Sequence, residues 1–267
     1  MTSVITDKEF ALFQRFIFDA AGITLSASKK ALVTSRLAKR LDLRKLKSYS
    51  EYFRVLSSGE DVQEVQAAID LLTTNETYFF REPKHFDLVR ELAQLARGRP
   101  QPFKVWSAAC STGEEPYSIA MVLAATLQNT PFEVIGSDIS SRVLERARSG
   151  HYPVSRTTHI PHAYLQQFCL KGLQEQEGTV LVDRPLRERV RFMSINLNTT
   201  LPRIGPFDMI FLRNVMIYFS AATKRQVVER VLSVLKPGGY FVIGHSESLN
   251  DMNAPVSALA PSIYRKH

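Results

Sequence analysis

Residues 103–120 read FKVWSAACSTGEEPYSIA, in which an apolar run of strand length passes through a turn of small residues into a helical pattern. Small residues between a strand and a helix let a ligand approach the backbone at the helix N-terminus, where doubly wound sheets bind their cofactors. The next apolar run ends in Gly136-Ser137-Asp138, about 25 positions beyond Gly113, and nucleotide-binding sheets place a ribose-binding carboxylate at a comparable distance. The two features together favour a nucleotide site over the alternative, in which Gly113 is only a turn and Asp138 only a helix cap.

The composition of the turn distinguishes between nucleotides. A dinucleotide needs several glycines so that its pyrophosphate can press on the backbone, whereas this turn has one glycine followed by Glu114 and Glu115, which repel phosphate. S-Adenosylmethionine carries a sulfonium and an ammonium group and no phosphate, so acidic side chains attract it. We therefore predict S-adenosylmethionine as the cofactor in preference to NAD.

Four further apolar runs of strand length follow, separated by helical patterns, which is typical of a parallel α/β sheet. Between the second and third strands of the sheet the sequence shows no long helix, and we predict an inserted subdomain at about 151–188. Upstream, residues 7–80 carry apolar residues at helical spacing, which predicts an all-α region. The four runs are FEVIGSDI (132–139), RVRFMSI (189–195), FDMIFLRN (207–214) and YFVIGHSE (240–247).

Length and composition exclude several classes of protein. With 267 residues, of which 45% are hydrophobic and 22% charged, the chain is neither disordered nor fibrous. It has no apolar stretch long enough for a membrane span, and MTSVITDKEF at its start has acidic residues where a signal peptide is apolar. We therefore expect a cytoplasmic location. Two cysteines, Cys110 and Cys169, are too few for a disulfide framework and lack zinc-site spacing, so no metal site is expected.

The net charge of +8 is concentrated in one segment of the chain. Residues 26–50 contain eight basic residues and one acid, and such a concentration favours docking of an acidic partner over the alternative of a solvated helix face. An acidic helix is the partner that we predict for this segment. The predicted docking residues are Arg36, Lys39, Arg40, Arg44 and Lys47.

Five longer motifs occur in a fixed order along the chain: NETYFFRE (75–82), SAACSTGEEPYSIA (107–120), SDIS (137–140), FLRNVMIYF (211–219) and LKPGGYFVIGHSES (235–248). Together they closely resemble the chemotaxis receptor methyltransferases, the CheR family, and the resemblance spans nearly the whole chain. It implies a Rossmann-like class I methyltransferase sheet with a small inserted β subdomain, preceded by an all-α N-terminal domain. The implied boundaries are a basic helical domain at 1–82, a linker helix at 83–98 and the methyltransferase domain at 99–267.

The resemblance implies methylation of glutamate side chains on the cytoplasmic helices of chemoreceptors. S-Adenosylmethionine is the implied methyl donor, and S-adenosylhomocysteine and a glutamyl methyl ester are the products. A glutamate carboxylate is ionised at pH 7 and can attack a sulfonium methyl without a general base, so the implied reaction is chemically simple. The protein is expected to be a monomer that meets the membrane only through the receptor.

The resemblance also assigns site residues. Arg81 is expected to hold the incoming carboxylate by a bidentate contact, and the Tyr218 hydroxyl to orient it. The residues expected at the cofactor are Asn75, Thr77, Arg81, Glu115, Asp138, Asn196, Leu197, Arg213 and Asn214.

Simpler interpretations of several of these residues stay open, because polar residues near the ends of elements usually cap or turn the chain. They are helix capping for Asn75 and Thr77, a strand-end turn for Asn196, a surface charge for Arg213 and packing for Tyr218. Glu114 is as well explained as a solvated acid at the start of a helix. We assign no role to the six histidines and disfavour Cys110 as a nucleophile.

Two other functions compete with this one. A nucleic-acid methyltransferase agrees with the basic charge, but the strand end Arg213-Asn214-Val215-Met216 lacks the Asn or Asp, two prolines and aromatic residue of base-amino methylation sites. A catalytically silent cofactor-binding docking module is the second alternative. Whether the loop from Gly172 to Gly178 grips a receptor C-terminal peptide, as the inserted subdomain does in some members of the family, stays open.

Overall fold

The computed structural model describes residues 4–267. Residues 1–3, which begin the predicted N-terminal domain and the stretch tested for a signal peptide, lie outside the described residues. Among residues 4–267, no helix combines the length and the apolar character that crossing a bilayer requires.

The first part of the chain is helical, as predicted. Helix α1 begins with a capping box, in which the Thr6 side chain accepts the backbone N–H of Glu9 and the Glu9 carboxylate accepts that of Thr6. It ends at Gly22, whose φ of 72° is left-handed. The four helices are α1 (Asp7–Ala21), α2 (Lys30–Arg44), α3 (Tyr49–Ser58) and α4 (Val62–Leu72).

These helices bury one face each in a common core. Phe13 of α1 lies against Tyr49 and Tyr52 of α3, with ring centroids about 6 Å apart, and Leu37 of α2 is fully buried in the same cluster. Aromatic residues bury the largest apolar areas per side chain. The helical part therefore has a hydrophobic core of its own.

The second part of the chain is a seven-stranded sheet in the order β6-β2-β1-β7-β8-β10-β9, in which the first five strands are parallel and the last two antiparallel. The five predicted strands are all present, so the predicted fold class is confirmed. The antiparallel pair at the end of the chain was not predicted. The strands are β1 (Phe103–Ala108), β2 (Phe132–Asp138), β6 (Val190–Ser194), β7 (Phe207–Leu212), β8 (Leu235–Ile243), β9 (Val256–Ala260) and β10 (Ile263–Lys266).

Between β2 and β6 a small antiparallel sheet stands in the predicted inserted segment, with strand order β3-β5-β4. Its strands are β3 (His151–Pro153), β4 (Cys169–Lys171) and β5 (Thr179–Val182).

Six helices accompany the strands. The helix in the segment predicted as a linker buries Phe86 and Val89 in the same hydrophobic cluster as Leu123, so it packs into the core of the α/β part. The helices are α5 (Lys84–Ala96), α6 (Glu114–Leu127), α7 (Ser141–Ser149), α8 (His162–Phe168), α9 (Arg184–Arg187) and α10 (Ala221–Ser233).

Candidate active site

A cavity lies at the carboxyl ends of β1, β2 and β7, where parallel sheets bind ligands. All ten residues that were predicted for the cofactor or the chemistry line it. They come from five separate parts of the sequence, so the fold brings together what the sequence keeps apart. The ten are Asn75, Thr77, Arg81, Glu115, Asp138, Asn196, Leu197, Arg213, Asn214 and Tyr218.

The turn after β1 has an unusual backbone. Ala109, Ser111 and Gly113 all have positive φ, at 61°, 50° and 94°. A Cβ at Gly113 would also lie 2.8 Å from the Cβ of Ala147 in α7, so only glycine fits there. Left-handed backbone at residues other than glycine concentrates at ligand sites, which agrees with a binding role for this turn.

Asp138 ends β2 and is buried, with 6% of its surface exposed. Its Oδ2 accepts the backbone N–H of Ser111 at 2.9 Å and its Oδ1 accepts that of Ser140 at 2.9 Å. Burial raises the pKa of the Asp138 carboxyl above its usual value, and the backbone N–H groups oppose the rise. Asp138 thus links the turn after β1 to the start of α7, and it also lines the cavity. It can therefore act at the start of the helix and contact a ligand at the same time.

Arg213 forms the charged centre of the site. It is 6% exposed, so the interpretation as a surface charge is wrong. Its guanidinium contacts Glu115 Oε2 at 2.7 Å and Glu82 Oε2 at 3.1 Å, and donates to the carbonyl of Arg81 at 2.6 Å. Glu115 also accepts the hydroxyl of Ser107 at 2.6 Å. Arg213 therefore ties α6, the end of β7 and the segment before α5 to one another.

The segment between α4 and α5 carries three of the predicted residues. Neither Asn75 nor Thr77 is a helix cap, because Thr73 is the C-cap of α4 and Pro83 is the N-cap of α5. The Asn75 carbonyl accepts the hydroxyl of Ser111 at 2.7 Å, which anchors the segment to the turn after β1.

Arg81 is the third predicted residue of this segment. Its Nη1 donates to the Glu76 carbonyl at 3.2 Å, and its guanidinium lies 5.7 Å from the ring centroid of Tyr78. These contacts hold the guanidinium of Arg81 at the cavity, and they leave its other N–H groups for a carboxylate.

Glu247 organises the loop that carries Asn214 and Tyr218. Its carboxylate accepts the backbone N–H groups of Asn214 at 2.9 Å, Met216 at 2.8 Å and Gly244 at 2.8 Å. Asn214 has a left-handed φ of 56°, and these bonds offset the cost of that conformation. The sequence interpretation missed Glu247, because nothing in the sequence indicates that two of its partners are backbone groups more than 30 residues away.

The helical part of the chain supplies one wall of the cavity. Ala21 and Ile23 line it, the backbone N–H of Thr24 donates to the carbonyl of Tyr218 at 2.8 Å, and Ile23 forms a β-bridge with Phe219. The side chain of Asn196 donates to the Ala20 carbonyl at 2.7 Å. We call residues 21–25 the strap. No sequence pattern indicated it, because its contacts are backbone bonds.

Glu114 differs from the sequence interpretation. It was described as a solvated acid, but its side chain is 0% exposed and pairs with Arg156 of the inserted segment. Arg156 also donates to the carbonyl of Thr77 at 2.8 Å. This arginine was missed because it lies in a segment without a recognisable motif, and it connects the inserted segment to the cavity wall.

Most of the predicted docking arginines make contacts within the helical part. Arg40 and Arg44 pair with the buried Glu64, and Arg44 also pairs with Asp61. Arg36 donates to the Thr73 carbonyl at 2.9 Å. The two predicted lysines, Lys39 and Lys47, are exposed. The structure therefore does not bring the five residues together as one free basic face.

Glu64 is the acceptor at the centre of these contacts. Its Oε1 accepts Arg40 Nε at 2.8 Å and the Tyr52 hydroxyl at 2.7 Å. The Arg40 guanidinium, above all, lowers the pKa of the Glu64 carboxyl to about 2. The carboxylate is thus held ionised inside the helical core.

Cys110 lies in the turn after β1 and is 2% exposed. Burial, aided by the negative charge of Asp138, raises the pKa of its thiol well above the usual value. A thiol must ionise to act as a nucleophile, so this environment agrees with the prediction that Cys110 has no nucleophilic role.

The comparisons with known proteins agree with this geometry. Residues 75–264 match the family model described as "CheR methyltransferase, SAM binding domain", and residues 8–73 match "CheR methyltransferase, all-alpha domain". The chain is 41% identical to a chemotaxis protein methyltransferase of Escherichia coli (strain K12), over 97% of this chain and 91% of that protein. It is 40% identical to chemotaxis protein methyltransferase 2 of Pseudomonas aeruginosa, over 97% and 93% of the two chains.

A more distant relative is the chemotaxis protein methyltransferase of Borreliella burgdorferi, which is 35% identical over 98% of this chain and 95% of its own. Among solved structures, a glycopeptide N-methyltransferase complexed with S-adenosylmethionine covers 67% of this chain and 57% of its own, at 17% identity and a TM-score of 0.37.

Proposed function

This chain belongs to the CheR methyltransferase family, and we propose that it transfers the methyl group of S-adenosylmethionine to glutamate side chains on the cytoplasmic helices of chemoreceptors. Its membership of that family makes it an S-adenosylmethionine-dependent methyltransferase of chemotaxis. The acceptor group, the receptor partner and the role of each residue are the proposal. The observation that carries it is that all ten predicted residues line a single cavity.

The residues that line the cavity suit the chemistry of the cofactor. Asp138 presents a buried carboxylate for the ribose hydroxyls, and Arg213 has a buried Nε without a hydrogen-bond partner. An unpartnered buried donor is costly unless a ligand satisfies it, so the residues present fit a ligand with both hydroxyl and carboxylate groups.

When bound, S-adenosylmethionine supplies a methyl group activated by the positive sulfonium. The protein does not need a general base, because the accepting glutamate is already ionised near neutral pH. Its residues have to hold the acceptor in line with the methyl and keep water away. We assign the carboxylate contact to Arg81, by charge-assisted hydrogen bonds, and the orientation of that carboxylate to Tyr218.

The two acids of the site, Glu114 and Glu115, are both paired with arginines. Glu115 pairs with Arg213 and Glu114 pairs with Arg156, so neither carboxylate is left with an uncompensated charge that would repel the substrate. Arg81 makes its side-chain hydrogen bond to a backbone carbonyl, which leaves its positive charge for the incoming glutamate. These contacts support a site that accepts a carboxylate.

The receptor contact involves the helical part of the chain. Because Arg40 and Arg44 are paired with Glu64, the charge offered to a partner comes chiefly from exposed lysines such as Lys39 and Lys47. The same internal pairing reduces the basic surface that a nucleic acid would need. We propose that the partner is an acidic helical protein surface and not a nucleic acid, and that the protein acts as a monomer in the cytoplasm, where the receptor glutamates are.

The test is incubation of the full chain with S-adenosylmethionine labelled in the methyl group and with the cytoplasmic domain of a chemoreceptor. The proposal expects label in the receptor that is released as methanol by mild base, which is diagnostic of a carboxyl methyl ester. A receptor domain with its methylated glutamates changed to alanine serves as control. Base-stable label, or label in added RNA or DNA, would overturn the assignment of the acceptor.

A further inference from the structure

A cluster of polar side chains, Glu82, His85 and His245, lies next to Arg213. Among residues 4–267, five buried side-chain nitrogen or oxygen atoms have no hydrogen-bond partner, and two of them, Glu82 Oε2 and His85 Nδ1, lie 3.4 Å apart. Buried polar atoms without partners are rare and call for an unseen water, ion or ligand. Their concentration at one place indicates a second binding function beside the cavity.

The hydrogen bond on the far side of the His85 ring fixes its tautomer. His85 is 1% exposed, and its Nε2 lies 2.8 Å from the hydroxyl of Ser262, which itself donates to the Pro261 carbonyl at 2.6 Å. The hydroxyl has one proton, so its oxygen accepts the Nε2–H of His85. This arrangement leaves a lone pair on Nδ1, directed toward the cluster.

That lone pair faces another acceptor. His85 Nδ1 lies 3.4 Å from Glu82 Oε2, without the geometry of a hydrogen bond. Two buried acceptors at this distance repel each other unless a cation stands between them. An imidazole whose other nitrogen is hydrogen-bonded, as that of His85 is to Ser262, is the usual arrangement in metal-ligating histidines.

A third possible ligand completes the group. His245 Nε2 lies 3.7 Å from Glu82 Oε2, and the three ligand atoms all lie within 4.8 Å of one another. Ligands at about 2.0–2.2 Å from a tetrahedral zinc ion are separated by about 3.4 Å. The two distances from Glu82 Oε2, 3.4 Å to His85 Nδ1 and 3.7 Å to His245 Nε2, are close to this value. His245 has 53% of its side chain exposed, so an ion can reach the cluster from solvent.

We propose that Glu82, His85 and His245 bind a late first-row transition metal ion, with Zn²⁺ as the expected occupant, through Oε2, Nδ1 and Nε2 respectively. Two imidazoles and one carboxylate suit zinc better than magnesium or calcium, which prefer oxygen ligands.

The charges near the cluster permit a dication. Arg213 lies 3.1 Å from Glu82 Oε2 but directs its Nη2 hydrogen bond to the carbonyl of Arg81. Glu82 and Glu115 together carry two negative charges against the one positive charge of Arg213. Because Arg213 pairs with Glu115 at 2.7 Å and lies farther from Glu82, at 3.1 Å, the Glu82 carboxylate is the less compensated of the two.

A bound ion would also affect the cofactor cavity. It would repel the Arg213 guanidinium and compete with it for Glu82, and Arg213 lines the cavity. We expect the metal-loaded protein to bind S-adenosylhomocysteine more weakly than the metal-free protein does. This consequence makes the cluster an inhibitory metal site.

The experiment uses the full chain without an affinity tag. Titration with Co²⁺ is expected to give the visible absorption of tetrahedral cobalt, and Zn²⁺ is expected to bleach it by displacement. His245→Ala should weaken Zn²⁺ binding, measured by calorimetry, by about 10-fold or more, because one of three protein ligands is lost. His162→Ala, which removes an exposed histidine outside the cluster, is the matched control and should bind Zn²⁺ as the unchanged protein does.

Two outcomes would overturn the proposal: the unchanged protein gives no cobalt spectrum, or His245→Ala retains the full Zn²⁺ affinity. Binding of S-adenosylhomocysteine is measured in parallel with and without Zn²⁺. A loss of affinity with Zn²⁺ in the unchanged protein, but not in His245→Ala, supports the link to the cavity. Binding of S-adenosylhomocysteine without metal tests the proposed function separately, so the two proposals can fail independently.

Discussion

The helical part and the α/β part of this protein each contain an arginine–carboxylate network, and the two networks differ in how completely they are satisfied. In the helical part, both oxygens of Glu64 have partners, which are Arg40, Arg44 and the Tyr52 hydroxyl. In the α/β part, Arg213 pairs with Glu115 and contacts Glu82, yet its Nε and Glu82 Oε2 lack hydrogen bonds.

This difference indicates that the Glu64 network stabilises the fold, whereas the Arg213 network can accept a ligand. A closed set of partners gains nothing from a further ligand, and breaking it leaves a buried charge unpaired. An incompletely satisfied set next to a cavity gains hydrogen bonds when a ligand arrives. Damage to the first network should therefore appear in stability, and damage to the second in binding and turnover.

The largest effect is expected from Arg40→Met, which should lower the free energy of unfolding by about 3 kcal/mol, because it leaves the buried Glu64 short of a partner. Denaturation by urea measures the loss. Arg54→Met, at an exposed arginine of the same helical part, is the control and should change stability little. If the two variants unfolded at the same urea concentration, the Glu64 network would not be the more important of the two for stability.

Arg81→Ala should reduce the single-turnover rate of receptor methylation by about 100-fold, or about 2.7 kcal/mol, because the acceptor carboxylate loses its positioning contact. Thermal melting should stay close to that of the unchanged protein, since Arg81 donates only to a backbone carbonyl and stacks at the rim. Arg203→Ala, at an exposed arginine away from the cavity, controls for loss of charge. Parallel losses of stability and rate would make Arg81 a structural arginine.

Asp138→Ala should weaken the binding of S-adenosylhomocysteine by about 1 to 3 kcal/mol. This is the cost of leaving polar groups of the ligand and of the turn without hydrogen-bond partners. Calorimetry gives the affinity directly. Asp251→Ala, which removes an exposed aspartate, provides the comparison. If both variants bind like the unchanged protein, Asp138 does not hold the ribose.

Acid should weaken the Glu64 network in a defined window. The pKa of Glu64 is lowered in the folded protein from 4.5 to about 2, so the stability it contributes is complete above the unfolded value and is lost as the pH falls toward the folded value. The loss from this group should reach about 1 kcal/mol at roughly pH 3.5. Urea titrations at several pH values measure it, and Glu64→Gln should flatten the dependence between those two pKa values.

The smallest effect is expected at the exposed lysines. Lys39→Glu combined with Lys47→Glu should raise the apparent KM for receptor by roughly 3-fold, or less than about 1 kcal/mol, because surface charges steer encounter and are screened by salt. Added salt should reproduce the change in the unchanged protein. Lys8→Glu, also exposed in the helical part, is the control. If neither added salt nor the reversal of both lysines changed the apparent KM, receptor recognition would not depend on Lys39 and Lys47.

The sequence was sufficient for the sheet because strands buried on both faces are nearly continuous apolar runs, as in FKVWSAA and FDMIFL. The residues that line the cavity were predicted from the family resemblance, because residue type and position alone favoured capping, turn or packing roles for several of them. It did not indicate the last two strands, since only Tyr264 among residues 256–266 is a buried aromatic, and the apolar signal of an antiparallel edge is weak.

The partners of charged residues were the least predictable feature. Arg40 and Arg44 looked like a docking face because their acid, Glu64, lies on another helix about 20 residues away. Glu114 looked solvated because its partner, Arg156, belongs to the inserted segment. Charge patterns along one element do not reveal which side faces a tertiary partner, and only the packing of elements decides it.

The strap has a consequence for how such a protein can be recombined. Ile23 and Thr24 belong to the helical part but bond to Phe219 and Tyr218 at the mouth of the cavity, and two family models divide the sequence between residues 73 and 75. A chimera joined at that boundary would inherit a catalytic half whose pocket wall comes from a foreign parent. A chimera that keeps this site intact therefore needs the strap and the loop that carries Tyr218 from the same parent.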